Sequence, residues 1–317
     1  MFNKSGRVYA CISDRLGNQL FQYAFARALQ LKFYPSYKLT FNTHSFEIIS
    51  ENDRAAGWRD QLKDFNIYPV DYVHEYSRYQ MFIRAIARGL TIIFSKFTNW
   101  RTSKTLAQIV DRLGFYRRMG CLMAKPRKSL SSNIFCIGNF ENYNYFNDIR
   151  DILLKEFTPK KDLLPENFNL MSEIQNTNSV CVSIRRGDFL IERNERLNVC
   201  NAEYFSEAMH RIKAQIPDCK FFIFTDDVED VKNNFKFPYN VTFESGNDPV
   251  WEKLRLMYSC KHFIIANSTF SWWAQYLSRN ENKIVYVPEP WHWHSDFDDD
   301  NFDGVYLPYM IKIKCSK

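Results

Sequence analysis

The 317-residue chain lacks any apolar run near the ~18 residues of a spanning helix; the best, Leu90-Thr91-Ile92-Ile93-Phe94, is followed by Lys96. Its first ten residues are too short and polar for a signal peptide. The eight cysteines include no CxxC pair and no regular spacing, so neither a disulfide frame nor a zinc site is expected, and the sequence predicts a reduced, intracellular chain. There is no GxxxxGK[ST] loop and no GxGxxG, which excludes an ordinary P-loop NTPase and a standard dinucleotide fingerprint. Internal repeats and low-complexity stretches are also missing. Acid is nearly absent from one region: residues 78–128 hold twelve Lys/Arg and only Asp111. That local balance of +11 sits in a chain of net +6, so the remainder is acidic.

What is present suits a soluble α/β protein of about two domains. Aromatic residues make up 17% of the chain, and because they fill cores as readily as they stack on bases or sugars, they select no function. The opening reads as a strand over 8–12, a glycine-containing turn over 13–18, and a helix from Gln19 with an apolar stripe of Ala24, Phe25, Ala28, Leu29 and Leu31. The same grammar restarts at 180–184, a β-branched strand followed by Arg185-Arg186-Gly187-Asp188. Further strands are expected at 220–224, 262–266 and 283–287, with helices at 204–214, at 250–259 and from the turn 267–270 through Leu277. Strands alternating with helices imply parallel sheets with active groups at the strands' carboxyl ends. The expectation is two doubly wound domains facing a cleft, 1–155 and 156–317, the first carrying a basic helical insertion at about 78–128. Within that insertion Ile83, Ile86, Ala87, Leu90, Ile93, Phe94 and Phe97 keep helical spacing beside Arg84, Arg88 and Lys96. Such a helix either packs on its domain or meets a membrane surface or polyanion.

Three turns could carry chemistry. Two arginines at the end of a buried strand call for an anion, since a guanidinium stays charged and its fork matches phosphate oxygens; a salt-bridged strand end is the competing reading. Asn267, Ser268 and Thr269 open a helix, where hydroxyls and free backbone N–H groups suit either a cap or a phosphate. Paired with the arginines they make a diphosphate clamp. Asp14, Asn18 and Gln19 place a carboxylate and amides at the first strand-to-helix turn, for sugar hydroxyls or simply for capping.

Together RLGNQLFQYAFA (15–26), IRRGD (184–188), FTDD (224–227) and ANSTFSWW (266–273) resemble the bacterial inverting α-1,2-fucosyltransferases, in that family's order and spacing from residue 7 to about 290. The resemblance implies a GT-B type fold of two Rossmann-like domains and transfer of L-fucose from GDP-L-fucose, with inversion and with no metal or other cofactor required. It implies a galactose-terminated glycan acceptor, fucosylated on the 2-hydroxyl. By the same resemblance Arg185 contacts the donor diphosphate, with Arg186 and Asp188 in support, Asn267, Ser268 and Thr269 lining the pocket, and Asp14, Asn18 and Gln19 facing the acceptor. Arg185, Asn18 and Asp188 are the implied catalytic set.

Two positions depart from that family. Ser183 stands where many relatives have His near guanine, and Lys253 where many have Asp, leaving Glu252 as the candidate guanine-reading carboxylate. Asp226-Asp227, and Asp298 and Asp300 near His292 and His294, fit a metal pattern superficially, yet solvated Asp runs are common, and no metal site is expected. A non-catalytic nucleic-acid or polyanion binder built on 78–128 would leave the arginine pair without a task. A transferase of the same fold with another sugar nucleotide stays open. The sequence reading therefore expects a cytoplasmic enzyme with no nucleic-acid partner, and contact with the anionic inner membrane face through 78–128.

Overall fold

The computed structural model describes residues 6–55, 57–75, 81–82, 85–86, 89, 104–190, 192–293 and 302–316. Most of the amphipathic stretch expected within 78–103 lies outside these residues, as do His294, Asp298 and Asp300. The chain divides into two compact units, Met1–Phe157 with Asp299–Val305, and Thr158–Asp298 with Tyr306–Lys317.

The first unit is a five-stranded parallel sheet of β1 (Arg7–Cys11), β2 (Lys38–Asn42), β3 (Asp71–Val73), β4 (Phe115–Arg118) and β5 (Asn133–Gly138), in spatial order β3-β2-β1-β5-β4. Central β1 pairs Val8 with Leu39 on one side and with Ile134 on the other. Helix Leu16–Phe33 follows it and is buried almost all round, not along one stripe. Burial on that scale forces its polar residues to find partners inside. Arg27 pairs with Glu156 (Nη2 to Oε1 2.9 Å), which also accepts from Tyr23 Oη at 2.7 Å. Gln30 Nε2 donates to Tyr37 O at 2.7 Å.

The second unit is a six-stranded parallel sheet of β6 (Ser179–Ile184), β7 (Lys220–Thr225), β8 (Val241–Phe243), β9 (His262–Ile265), β10 (Val285–Glu289) and β11 (Met310–Lys314). The order β11-β10-β9-β6-β7-β8 is doubly wound, with its switch point between β6 and β9. Val180, Val182 and Ile184 of β6 pack with Tyr204, Phe205, Met209 and Ile212 of helix Ala202–Gln215 and with Phe221 and Ile223 of β7. The expected strand at 283–287 starts two residues later. Lys283 Nζ instead donates to Gln275 O at 2.6 Å, and Ile284 N donates to His262 Nδ1 at 3.1 Å while Ile284 O accepts from Phe263 N at 2.9 Å, so Ile284 only leads into the ladder. A further strand, β11, adds alongside β10 in parallel register. Among the described residues no helix is long and apolar enough to cross a membrane.

Candidate active site

In an open parallel sheet, ligands meet the strands' carboxyl ends at the switch point. Here that point holds the turn after β6 and the turn after β9. Ser183 sits opposite Ile265, and Ala266 N donates to Ser183 O at 3.0 Å, so Arg185 and Ser268 lie two and three residues beyond a paired position on adjacent strands. The two turns are also tied through side chains: Ser183 Oγ and Ser271 Oγ are 2.7 Å apart in a buried hydroxyl pair. Ser183 is therefore committed within the protein, between β6 and the first turn of helix Thr269–Leu277, and not placed to read a base.

The arginines separate by strand alternation. Val182 and Ile184 enter the core cluster that also holds Phe235, and Arg186 continues on that side, its guanidinium 5.2 Å from the Phe235 ring centre and its Nε 2.5 Å from Asp230 Oδ2. It lines a cavity of about 400 Å³ with Asn198, Asn201, Asn234 and Trp293. The alternation leaves Arg185 on the Ser183 side. Its Nη1 lies 2.9 Å from Asp226 Oδ2, and the same carboxylate accepts from Arg186 N through Oδ1 at 2.8 Å. The turn thus hangs on Asp226, which closes over Gly187 so tightly that a Cβ there would meet Oδ2 at 2.4 Å. A side chain at this position would have to push that carboxylate aside. Both arginines are paired and each lies over a ring, Arg185 over Phe189 at 5.6 Å and Arg186 over Phe235, so the double-arginine clamp expected from the sequence is divided between the two faces of the strand end, with Arg185 on the Ser183 side.

The acids after β7 are arginine braces and a cap. Asp227 accepts from Asp230 N at 2.9 Å and caps helix Val228–Asn234. Among the described residues no group of three or more His, Cys, Asp or Glu side chains is placed to hold a metal ion. His292 is pushed down to about 4, chiefly by burial and then by the Arg196 charge. The side chain of Asp188 lies outside the described residues.

After β9, helix Thr269–Leu277 begins with Ser268 at its N-cap position and without a side-chain cap, so its first backbone N–H groups carry the positive end of the helix dipole. Ser268 and Thr269 are partly exposed. Asn267 is buried; its Nδ2 donates to Leu197 O at 2.9 Å and its Oδ1 faces Cys200 Sγ at 3.6 Å. Its amide fastens the loop beyond β6, which corrects the expectation that it lines the pocket.

Glu252 is also corrected. It is fully buried, Oε1 accepting from Leu164 N at 2.8 Å and Asn167 Nδ2 at 3.3 Å, with Oε2 in an ion pair with Arg255 at 3.1 Å. No face of it is left for a nucleobase. Lys253, in the same helix, pairs with buried Glu244 beyond β8 (3.1 Å) and donates to Thr225 O beside Asp226 (3.1 Å). Burial raises the Glu244 carboxyl and the Lys253 charge opposes that rise. This pair at the carboxyl ends of β7 and β8 escaped the sequence reading. A lysine in the first turn after an acid-bearing loop was its only signal.

In the first unit, the turn after β1 is organised by glutamines. Gln19 is completely buried; its Nε2 donates to Asp14 O (2.8 Å) and Arg59 O (2.7 Å), and its Oε1 accepts from Gln61 N (2.9 Å). Gln61 Oε1 in turn accepts from Leu16 N at 2.7 Å. Gln19 is thus a staple between two loops and not an acceptor-facing amide. Asp14 and Asn18 are partly exposed. Asp14 adopts a left-handed backbone with φ 63°, uncommon outside glycine, and accepts from Ser13 Oγ at 3.0 Å.

A sequence profile described as glycosyl transferase family 11 matches residues 116–313. The chain is 28% identical over 292 residues to an alpha-1,2-colitosyltransferase of Escherichia coli, covering 90% of this chain and 92% of that protein. It is 26% identical over 149 residues to human galactoside alpha-(1,2)-fucosyltransferase 1, covering 43% and 41% of the respective chains. Among solved structures, NodZ α-1,6-fucosyltransferase co-crystallised with GDP superposes with a TM-score of 0.50 at 13% identity, over 86% of this chain and 92% of that one. This last likeness is one of fold.

Proposed function

The chain belongs to glycosyl transferase family 11 and is a GT-B type glycosyltransferase, and on that footing we propose that it moves L-fucose from GDP-L-fucose, with inversion and without a metal, to the 2-hydroxyl of a terminal galactoside. The fucosyl donor is supported by the human fucosyltransferase relative and by the motifs at 15–26, 184–188, 224–227 and 266–273. The observation that carries the reading is Arg185, braced by Asp226, at the end of the strand next to the one that leads into the N-terminus of helix Thr269–Leu277, at the switch point.

Breaking the sugar C1–O bond puts negative charge on the β-phosphate while positive character grows at C1. Arg185, the Ser268 and Thr269 hydroxyls and the first N–H groups of helix Thr269–Leu277 stabilise that charge in fixed positions, so little reorganisation is needed as it develops. Asp226 sets the guanidinium pose. Asn18 orients the acceptor, and Asp14 or Asp188 takes the acceptor proton. The enzyme works in the cytoplasm, at the inner face of the membrane.

One observation favours a second donor. The relative matched over 90% of this chain is a colitosyltransferase, and colitose is L-fucose without its 3-hydroxyl. Incubation with GDP-fucose or GDP-colitose and a panel of galactosides, with product linkage determined by NMR, separates the two. The expected result is a 2-O-fucosyl galactoside and free GDP, undiminished in excess EDTA. Turnover of GDP-colitose alone would replace the sugar and keep the mechanism; transfer only after adding a divalent ion would overturn the metal-free reading.

A further inference from the structure

We propose that the first unit carries a preformed surface for docking on anionic lipid bilayers, built by helix Lys104–Arg112 and the loop 124–131 beside it. This deepens the membrane location proposed above and rests on that part of the reading alone. The helix buries Leu106 and Val110 against Phe115 and Phe135, which fixes the face it turns outward. That face carries Lys104, Ile109 and Arg112, followed by Leu113, all exposed. Three hydrogen bonds fasten the loop along the helix: Gln108 Nε2 to Lys125 O (3.3 Å), Arg127 N to Asp111 Oδ2 (3.0 Å), and Ser129 Oγ to Arg112 O (2.9 Å). The loop thereby sets Lys125, Arg127, Lys128 and Leu130 next to the outward face, with Leu130 94% exposed.

The charge is one-signed for a structural reason. The sole acid between residues 104 and 130, Asp111, is completely buried and forked onto Arg118 (2.8 and 3.1 Å), itself completely buried. The pair cancels inside the core, so the acid never reaches the surface. Lys104, Arg112, Lys125, Arg127 and Lys128 are left outside with no acidic neighbour in that stretch of sequence. Residues 78–103, immediately before the helix, add five cations and no acid.

The exposed apolar groups select lipid over nucleic acid. Ile109, Leu113 and Leu130 are aliphatic and insert among acyl chains. Phe115 and Tyr116, the aromatic residues of 104–130, are both buried and give bases nothing to stack on.

The test is flotation of the full chain with phosphatidylcholine vesicles and with vesicles that also contain phosphatidylglycerol. The wild type is expected to float only with the second, and Lys125→Gln/Arg127→Gln/Lys128→Gln to lose about 100-fold in partitioning, roughly fivefold per cation. Leu113→Ser/Leu130→Ser should lose about tenfold through the aliphatic contacts. All these residues are exposed, and unchanged melting and an unchanged thermal response to GDP in both variants separate docking from folding and from donor binding. Equal flotation with both vesicle types, undiminished flotation of the glutamine variant, or capture of a single-stranded oligonucleotide without vesicle binding would overturn the proposal.

Discussion

The turns after β1 and β6 occupy equivalent places in their sheets, each following a central parallel strand, and they spend their polar residues in opposite ways. After β1, Gln19 and Gln61 turn inward and satisfy main-chain groups, leaving Asp14 and Asn18 at the surface of a rigid platform. After β6, charge stays at the strand end: Arg185 and Arg186 divide to the two faces and each is held by one carboxylate, Asp226 or Asp230. A neutral amide staple suits a surface that presents hydroxyl-binding groups. A braced guanidinium suits one that meets a departing anion.

The largest way to break this contrast is at Arg185. Arg185→Ala is expected to lower kcat at least ~100-fold, the scale of one lost transition-state charge donor, whereas Arg186→Ala should cost less than about tenfold. Equal losses in steady-state kinetics would erase the division between the faces. On the other side of the comparison, Gln19→Ala strands the Gln61 N–H and two carbonyls in a buried site and should destabilise the chain by roughly 2–4 kcal/mol in denaturant melts. Asn18→Ala should leave melting within about 0.5 kcal/mol and raise KM for the acceptor instead.

Gly187→Ala sharpens the β6 side. The added methyl collides with Asp226, and a cost of about 2 kcal/mol is expected, with kcat falling because the Arg185 brace moves. Normal melting and turnover would mean that the turn yields freely. The last effect is acidic. The folded chain holds His292 neutral well below its ordinary range, so stability is complete above about pH 6.5 and is lost as pH falls toward about 4. Roughly 3 kcal/mol should go over that window, and His292→Gln should flatten the slope.

Much of the second unit was legible because its signals are local. Continuous β-branched and aromatic runs marked β6, β7 and β9, and helix Val250–Ser259 fell where its periodicity put it. The short edge strand β8 and the late strand β11 escaped because Val241–Phe243 and Met310–Lys314 are not apolar runs; their pairing comes from neighbours distant in sequence. The site residues were misjudged for a similar reason. Adjacent arginines look like one cationic cluster until strand alternation sends them apart. Gln19, Asn267 and Glu252 look like ligand-facing polar groups until burial shows that each answers a main-chain demand within the fold. A residue type says what it can bond, and the packing decides what it does bond.

The central claim is that Arg185 and the helix N-terminus after β9 hold a nucleoside diphosphate. Thermal melting of the wild type and Arg185→Ala with GDP, UDP and ADP tests it directly. GDP near a hundred times its Kd should stabilise the wild type by about 2.7 kcal/mol, more than UDP or ADP, and Arg185→Ala should lose most of that response. A full GDP response in Arg185→Ala, or none in the wild type, would contradict the account.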